Sequence, residues 1–139
     1  MSRNHEVSKA GRLFVQGELI RRGHQVEESK ERLSDFIIDG KTKVKVHCRE
    51  NEEEDSFIMS PKVEENGSRD LYYIFVLIQN NKNRFFIVPS IVVAQRCRIG
   101  HKKWAEEKEG RNPNATLRIF FMSQNADYLW EDQWQLLDQ

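Results

Sequence analysis

The chain has few of the residues that build covalent or metal-held scaffolds. Only two of its 139 residues are cysteine, Cys48 and Cys97, and they lie far apart in the sequence. Two isolated cysteines exclude a disulfide framework, and no CxxC pair or His/Cys cluster has the spacing of a zinc site. We therefore expect a reducing, cytoplasmic environment and no thiolate-held metal.

Long hydrophobic runs and a net charge are also missing. The longest apolar run, LYYIFVLI at 71–78, is far shorter than the roughly 20 residues of a membrane-spanning helix. Lysine plus arginine and aspartate plus glutamate both number 22, so the formal net charge is zero. No secretory signal is visible at the N-terminus. We expect no membrane partner and no general attraction to nucleic acid, although local basic patches remain open.

Two helices are predicted, one early and one late in the chain. The first covers residues 6–22 and ends at Gly23. The face that its spacing predicts to be buried comprises Val7, Ala10, Leu13, Phe14, Gly17 and Ile20. The second covers roughly 91–109, with Ser90 as its N-cap. Its predicted inward positions are Val93, Cys97, Gly100 and Trp104.

Between the helices the chain has the pattern of β-strands. SDFIIDG ends in Asp39-Gly40, a dipeptide favoured in two-residue hairpins, and KTKVKVHCRE follows it as the partner strand. Further strand candidates are HQVEE, SFIMS, LYYIFVLIQ, RFFIVP and LRIFF, whereas 61–70 shows no regular pattern. ADYLWEDQWQLL predicts one or two closing helical turns. This order indicates one α+β domain over residues 1–139, with a mixed central β-sheet flanked by helices.

The strand KTKVKVHCRE carries an unusual row of polar side chains. Val44 and Val46 alternate with Lys43, Lys45 and His47, so the valines lie on one face and the three polar groups on the other. Such a row is either a solvated strand face or a reaction centre whose charges have changed. The residues alone leave both interpretations open.

Several segments, taken in their order, resemble a small bacterial family with the PD-(D/E)XK restriction-endonuclease-like fold. They are SKAGRLFVQGELIRRG, DFIIDGKTKVKV, LYYIFVLI with RFFIVPS, HKKW and DQWQLL. The resemblance implies a Mg²⁺ site made of an Asp, a Glu or Gln two positions before a Lys, and often a helical Glu. It puts Asp35 at the Asp, Lys45 at the Glu/Gln, His47 at the Lys and Arg12 at the helical Glu.

On that correspondence Asp35 keeps the carboxylate of the metal site, and the other three positions have lost the side chain that the site requires. Lys45 and Arg12 have no acceptor atom, and each repels a cation by roughly 4 kcal/mol at 4 Å with an effective dielectric constant of 20. The resemblance thus implies a catalytically inactive, nuclease-like domain without a cofactor. It would act by binding a protein partner or nucleic acid, in defence or counter-defence. The alternative is a Mg²⁺-dependent DNA endonuclease with migrated ligands such as Asp35, Asp39 and Glu50.

Two further groups of side chains are candidates for binding. Basic side chains that could track phosphates are Lys43, Arg96, Arg98, Lys102 and Lys103. The glutamates that follow on the second helix favour an ordinary solvated face instead. Aromatic side chains that could stack on bases, but more often close a core, are Trp104, Tyr128, Trp130 and Trp134. An edge strand such as SFIMS leaves a homodimer open.

Overall fold

The computed structural model describes residues 2–50, 56–79, 82–112, 117–121 and 129–138. Within them the chain forms two α-helices, a mixed five-stranded sheet and a two-stranded sheet, which confirms the α+β class. Short 3₁₀ helices, η1 and η2, are also present. In chain order the elements are α1 (Arg3–Arg21), β1 (Val26–Glu28), β2 (Phe36–Ile38), β3 (Thr42–Glu50), β4 (Ser56–Met59), η1 (Pro61–Glu65), β5 (Leu71–Gln79), β6 (Lys82–Pro89), α2 (Ser90–Glu107), β7 (Arg118–Phe121) and η2 (Trp134–Leu137).

Strand β3 lies at the centre of the larger sheet. The strand order is β1-β2-β3-β5-β6, with β3 and β5 parallel and the other neighbours antiparallel. The β2–β3 hairpin turns at Asp39 and Gly40, whose φ angles of 54° and 73° are the left-handed values of a type I′ turn. The predicted hairpin is therefore confirmed. Strands β4 and β7 pair with each other in the smaller sheet.

Helix α1 buries a different face from the predicted one. Its buried residues are Val7, Gly11, Val15 and Leu19. Of the predicted face only Val7 is buried, and the side chains of Leu13, Phe14 and Ile20 are 57%, 40% and 56% exposed. The helix carries apolar residues on two faces, so its periodicity could not decide which of them meets the sheet.

A glycine explains which face of α1 was selected. A Cβ at Gly11 would come within 2.7 Å of Cys48 Sγ on β3, so the helix and the strand approach one another more closely there than a side chain allows. Val15 and Leu19 then pack with Val44 and Val46 of β3 in one apolar cluster. This approach sets the position of α1 over β3, and with it the position of Arg12.

Helix α2 packs against the apolar cluster that contains Phe75 of β5 and Phe120 of β7. Val93 and Cys97 are buried in that cluster as predicted. Gly100 and Trp104 are exposed, so their predicted inward placement was wrong. Trp104 instead stacks on His101 and lies beside the guanidinium of Arg111, because the C-terminal half of α2 buries no residue.

Three other local predictions need correction or qualification. Ser90 does not cap α2, because its hydroxyl donates to the carbonyl of Ser68 at 2.7 Å. The segment 61–70 begins with η1 rather than lacking structure. Trp134 is buried in η2 and Trp130 packs on the core, whereas Tyr128 lies outside the described residues. In the described ranges, no helix has the length and apolar character needed to cross a membrane.

Candidate functional site

Asp35 is fixed at the entrance to the β2–β3 hairpin. Its backbone N–H donates to the carbonyl of Val44 at 2.7 Å, and its Oδ2 accepts the N–H of Val46 at 2.7 Å. Phe36 pairs with Val44, so the register places Asp35 opposite Lys45. Lys45 Nζ lies 3.7 Å from Asp35 Oδ2. The carboxylate is therefore already engaged by an amide and an ammonium.

All four positions that the resemblance singled out line one cavity. It has a volume of about 490 Å³, and its walls include Arg12 from α1, Asp35 before β2, and Lys45 and His47 from β3. Lys45 forms an ion pair with Asp35, whereas Arg12 makes no ion pair with it.

His47 contributes a neutral ring to the cavity wall. It stacks on Phe75 at a centroid distance of 5.7 Å and lies 5.6 Å from the ring of Tyr73. Burial, and secondarily the charge of Lys45, lower its pKa from 6.5 to about 4, against the opposing effect of Asp35. At neutral pH the imidazole therefore offers one hydrogen-bond donor and one acceptor.

A smaller cavity of about 220 Å³ adjoins the first and shares Lys45 and His47 with it. We call the two cavities together the Lys45 groove. Among the described residues, the cationic side chains that line the groove are Arg12, Arg32, Lys45, Arg49 and Lys62, and its one carboxylate is Asp35. This excess of positive charge is the main electrostatic feature of the site.

Sequence reasoning missed Arg32 and Lys62 as members of this site. Arg32 lies between β1 and β2, and Lys62 lies in η1. Neither belongs to a periodic pattern, so only the three-dimensional path of the connections brings them to Lys45. A third cavity of about 500 Å³ lies against α1 and shares Arg12, Arg32, Asp35 and Lys45 with the groove, and Glu28 and Glu31 also line it. Its charges are therefore closer to balance.

The groove does not fit a Mg²⁺-type ion. Asp35 Oδ2 accepts the Val46 amide and faces Lys45. Arg12 and Lys45 have no acceptor atom, whereas Mg²⁺ takes oxygen ligands at close range. Within the part of the chain that the structure describes, no group of three or more His, Cys, Asp or Glu side chains could hold a metal ion.

The carboxylates considered as migrated ligands lie elsewhere and have their own partners. Asp39 Oδ2 lies 2.7 Å from His24 Nδ1, and this contact, followed by the Gln25 N–H, lowers the pKa of Asp39. Glu50 accepts from the guanidinium of Arg3 at 2.5 Å, which lowers the pKa of that carboxyl. Neither lines the Lys45 groove or the cavity of about 500 Å³ against α1.

The other basic candidates are not brought to the groove. Lys43 Nζ pairs with Glu31 at 3.1 Å, and Arg98 donates to the carbonyl of Glu64. Arg96 lies over the ring of Phe120. Lys102 and Lys103 are exposed on α2 and line neither cavity of the groove. The stripe on α2 is thus spatially separate from the charges around Lys45.

Comparison with known proteins supplies no neighbour from which an activity could be carried over. No protein-family model, no curated protein and no solved structure matches the chain. The chemistry of the site therefore rests on the charges, hydrogen bonds and rings described above.

Proposed function

We propose that this chain is a catalytically inactive, nuclease-like domain of the PD-(D/E)XK class that binds the backbone of nucleic acid in the Lys45 groove. One observation carries the proposal. Arg12, Arg32, Lys45 and Lys62 face the groove, whereas its one carboxylate among the described residues, Asp35, is held by the Val46 N–H and Lys45. A phosphodiester is an anion that such a surface attracts.

The arrangement of elements supports the nuclease-like part of the proposal. Helix α1 precedes the β2–β3 hairpin, and β3 continues into a parallel pairing with β5. Asp35 stands at the start of the hairpin beside Lys45, and Arg12 reaches the same cavity from α1. These are the relative positions that the resemblance expects of a restriction-endonuclease-like metal site.

The chemistry of the groove favours binding over cleavage. A metal-dependent nuclease needs carboxylate oxygens that hold a cation, and the cation in turn stabilises the attacked phosphate. Lys45 and Arg12 stand at two positions that the resemblance assigns to metal ligands. In the proposed binding mode their cations interact with the phosphate directly. Each phosphate contact by a cation releases a counterion, so the affinity should fall steeply with salt.

Binding to labelled DNA in EDTA at 50 to 200 mM salt tests this proposal. With about four phosphate contacts, we expect the logarithm of affinity to fall against the logarithm of salt with a slope of roughly −3. Arg12→Ala/Lys62→Ala leaves the Asp35–Lys45 pair intact and should reduce the slope by about 1 to 2. The matched control, Lys102→Ala/Lys103→Ala on α2, should leave it unchanged. No binding at 50 mM salt, or equal effects of the two variants, would contradict the proposal.

The exposed face of α1 favours a protein partner as a second candidate function. Leu13, Phe14 and Ile20 form an apolar surface on α1, and a Cβ added at Gly17 on the same face would meet no other described residue within 4 Å. Such a surface could meet another protein or a second copy of this chain. Sedimentation of the wild type and of Leu13→Gln/Ile20→Gln tests self-association, which should be lost in the variant if this face is the interface.

A further inference from the structure

The smaller cavity of the Lys45 groove has walls of two chemical kinds. One kind is apolar or aromatic and comprises Leu33, His47, Met59, Val63 and Tyr73. The other kind is cationic and comprises Arg32, Lys45 and Lys62. No acidic residue of the described chain lines it. A ligand that fits these walls combines a flat or apolar group with an adjoining negative charge.

Two uncharged polar side chains, His47 and Asn66, also line this cavity. His47 has no hydrogen-bond partner among the described side chains and backbone groups, although its ring is packed on Phe75. Asn66 also lines the cavity, where its side chain hydrogen-bonds to Tyr73. An imidazole and a carboxamide each present donors and acceptors. Together they match the mixed donors and acceptors on the edge of a nucleobase.

The size of the cavity limits the ligand to one ring system. Its volume of about 220 Å³ is below the roughly 300–1,000 Å³ of pockets for drug-sized molecules. A duplex cannot present a base to such a cavity without opening, because its bases are paired and stacked. A single strand presents unstacked bases and has a phosphate next to each of them.

We infer that the smaller cavity takes one unpaired nucleobase of a single strand, while Lys45 and the neighbouring cations hold the adjoining phosphates. This inference rests on the proposed function, because it specifies that the nucleic acid bound in the Lys45 groove is single-stranded. Leu33 lies exposed at the cavity, and the rings of His47 and Tyr73 form its aromatic wall. The base is bound by contact with these side chains and the phosphates by charge.

Three oligonucleotides of equal length separate the base from the phosphates. They are an oligo-dT strand, the same strand with abasic sites throughout, and a duplex, each labelled and measured by anisotropy in EDTA at 100 mM salt. We expect oligo-dT to bind at least tenfold more tightly than the duplex. The abasic strand keeps every phosphate and should bind roughly 5- to 150-fold more weakly than oligo-dT, the range given by stacking of one base.

A variant at Leu33 tests whether the base binds in the smaller cavity. Leu33→Asp puts a carboxylate at the cavity and should bring the affinity ratio of intact to abasic strand close to one. The added carboxylate repels the intact and the abasic strand alike, so this repulsion cancels in the ratio. A fall of the ratio therefore reports the loss of contact with the base. Ile99→Asp on α2 makes the same change at another exposed apolar residue and should keep the wild-type ratio. Melting curves of both variants are the control that they fold.

The outcomes distinguish this inference from the proposed function. If the abasic strand and the duplex bind as tightly as oligo-dT with the same salt slope, the cavity does not take a base, while backbone binding stands. If no oligonucleotide binds even at 50 mM salt, the proposed function fails and the inference with it. If thymidine monophosphate binds as tightly as oligo-dT, the site serves free nucleotides and the strand assignment is overturned.

Discussion

Two ion pairs of this chain differ in the charge of their surroundings. Arg118 of β7 and Glu64 of η1 form a nearly buried pair, with Nε and Oε1 2.5 Å apart. Lys45 and Asp35 form a looser pair of 3.7 Å in a groove that is open to solvent. The first pair joins one cation to one carboxylate. The second lies in a groove whose described walls hold four further cations, Arg12, Arg32, Arg49 and Lys62, and no further carboxylate.

This difference separates a structural pair from a binding surface. A buried pair whose charges match holds two elements together and leaves no charge for a ligand. An excess of like charge around Lys45 repels itself in the folded chain, and an anion relieves that repulsion. The comparison therefore predicts that changes at Arg118 alter stability, whereas changes of Arg12 and Lys62, groove cations that form no ion pair within the described residues, mainly alter binding.

The largest effect on stability should come from breaking the Arg118–Glu64 pair. Arg118→Ala leaves the carboxylate of Glu64 largely buried without its partner, which should reduce the free energy of unfolding by about 3–5 kcal/mol. Urea denaturation measures this loss. Replacing both residues, as Arg118→Met/Glu64→Leu, should restore much of the stability, because both charges of the pair are removed together. A loss below 1 kcal/mol for Arg118→Ala would show that the pair is not structural.

A pH-dependent effect is expected from His47. Its pKa in the folded chain is about 4, below the ordinary 6.5, so the unfolded chain binds the proton more readily between these values. Stability should be complete above pH 6.5 and should fall, by up to about 3 kcal/mol, as the pH drops toward 4. His47→Gln should show a smaller fall over the same range in pH-dependent urea unfolding. Identical pH profiles would contradict the assignment.

Asp35 should affect stability and binding in opposite directions. Asp35→Ala removes the acceptor of the Val46 N–H and the partner of Lys45, at a cost of about 1–3 kcal/mol. It also removes the one carboxylate from the walls described for the groove, so DNA should bind more tightly. Asp35→Asn keeps an acceptor and should retain more stability while sharing the gain in affinity. Thermal melting and anisotropy on the same samples test this, and weaker DNA binding by folded Asp35→Asn would oppose it.

The smallest effect on stability is predicted for Lys62. Its side chain is exposed and forms no ion pair within the described chain, so Lys62→Ala should change the free energy of unfolding by less than about 0.5 kcal/mol. The same change should reduce the salt slope of single-strand binding by about 0.7. Lys102→Ala, on α2, is the matched control and should change neither quantity. An unchanged slope in Lys62→Ala would remove this residue from the phosphate contacts.

The parts of the fold that could be predicted are those with a strong local signal. Asp39 and Gly40 accept left-handed backbone angles, so they located the hairpin, and the alternation in β3 put Val44 and Lys45 on opposite faces. Once the hairpin register is set, Asp35 must lie beside Lys45.

The parts that could not be predicted depend on packing between distant segments. The two apolar faces of α1 were equivalent by periodicity, and the close approach of Gly11 to Cys48 decided between them. Arg32 and Lys62 reach the groove through irregular connections that carry no pattern. Trp104 has the spacing of a core residue, yet it lies in the C-terminal half of α2, where the structure buries no residue of the helix.

Titration with Mn²⁺ tests the central claim, that the site around Asp35 accepts an anion rather than a metal. We predict that calorimetry on the wild type gives no Mn²⁺ binding at this site and that DNA is not cleaved with Mg²⁺ or Mn²⁺. The reverse change, Arg12→Glu, Lys45→Gln and His47→Lys, restores the ligand set that the resemblance expects and should bind Mn²⁺ measurably. The opposite result would be Mn²⁺ binding and metal-dependent cleavage by the wild type, both lost in Asp35→Ala, and it would establish an active endonuclease.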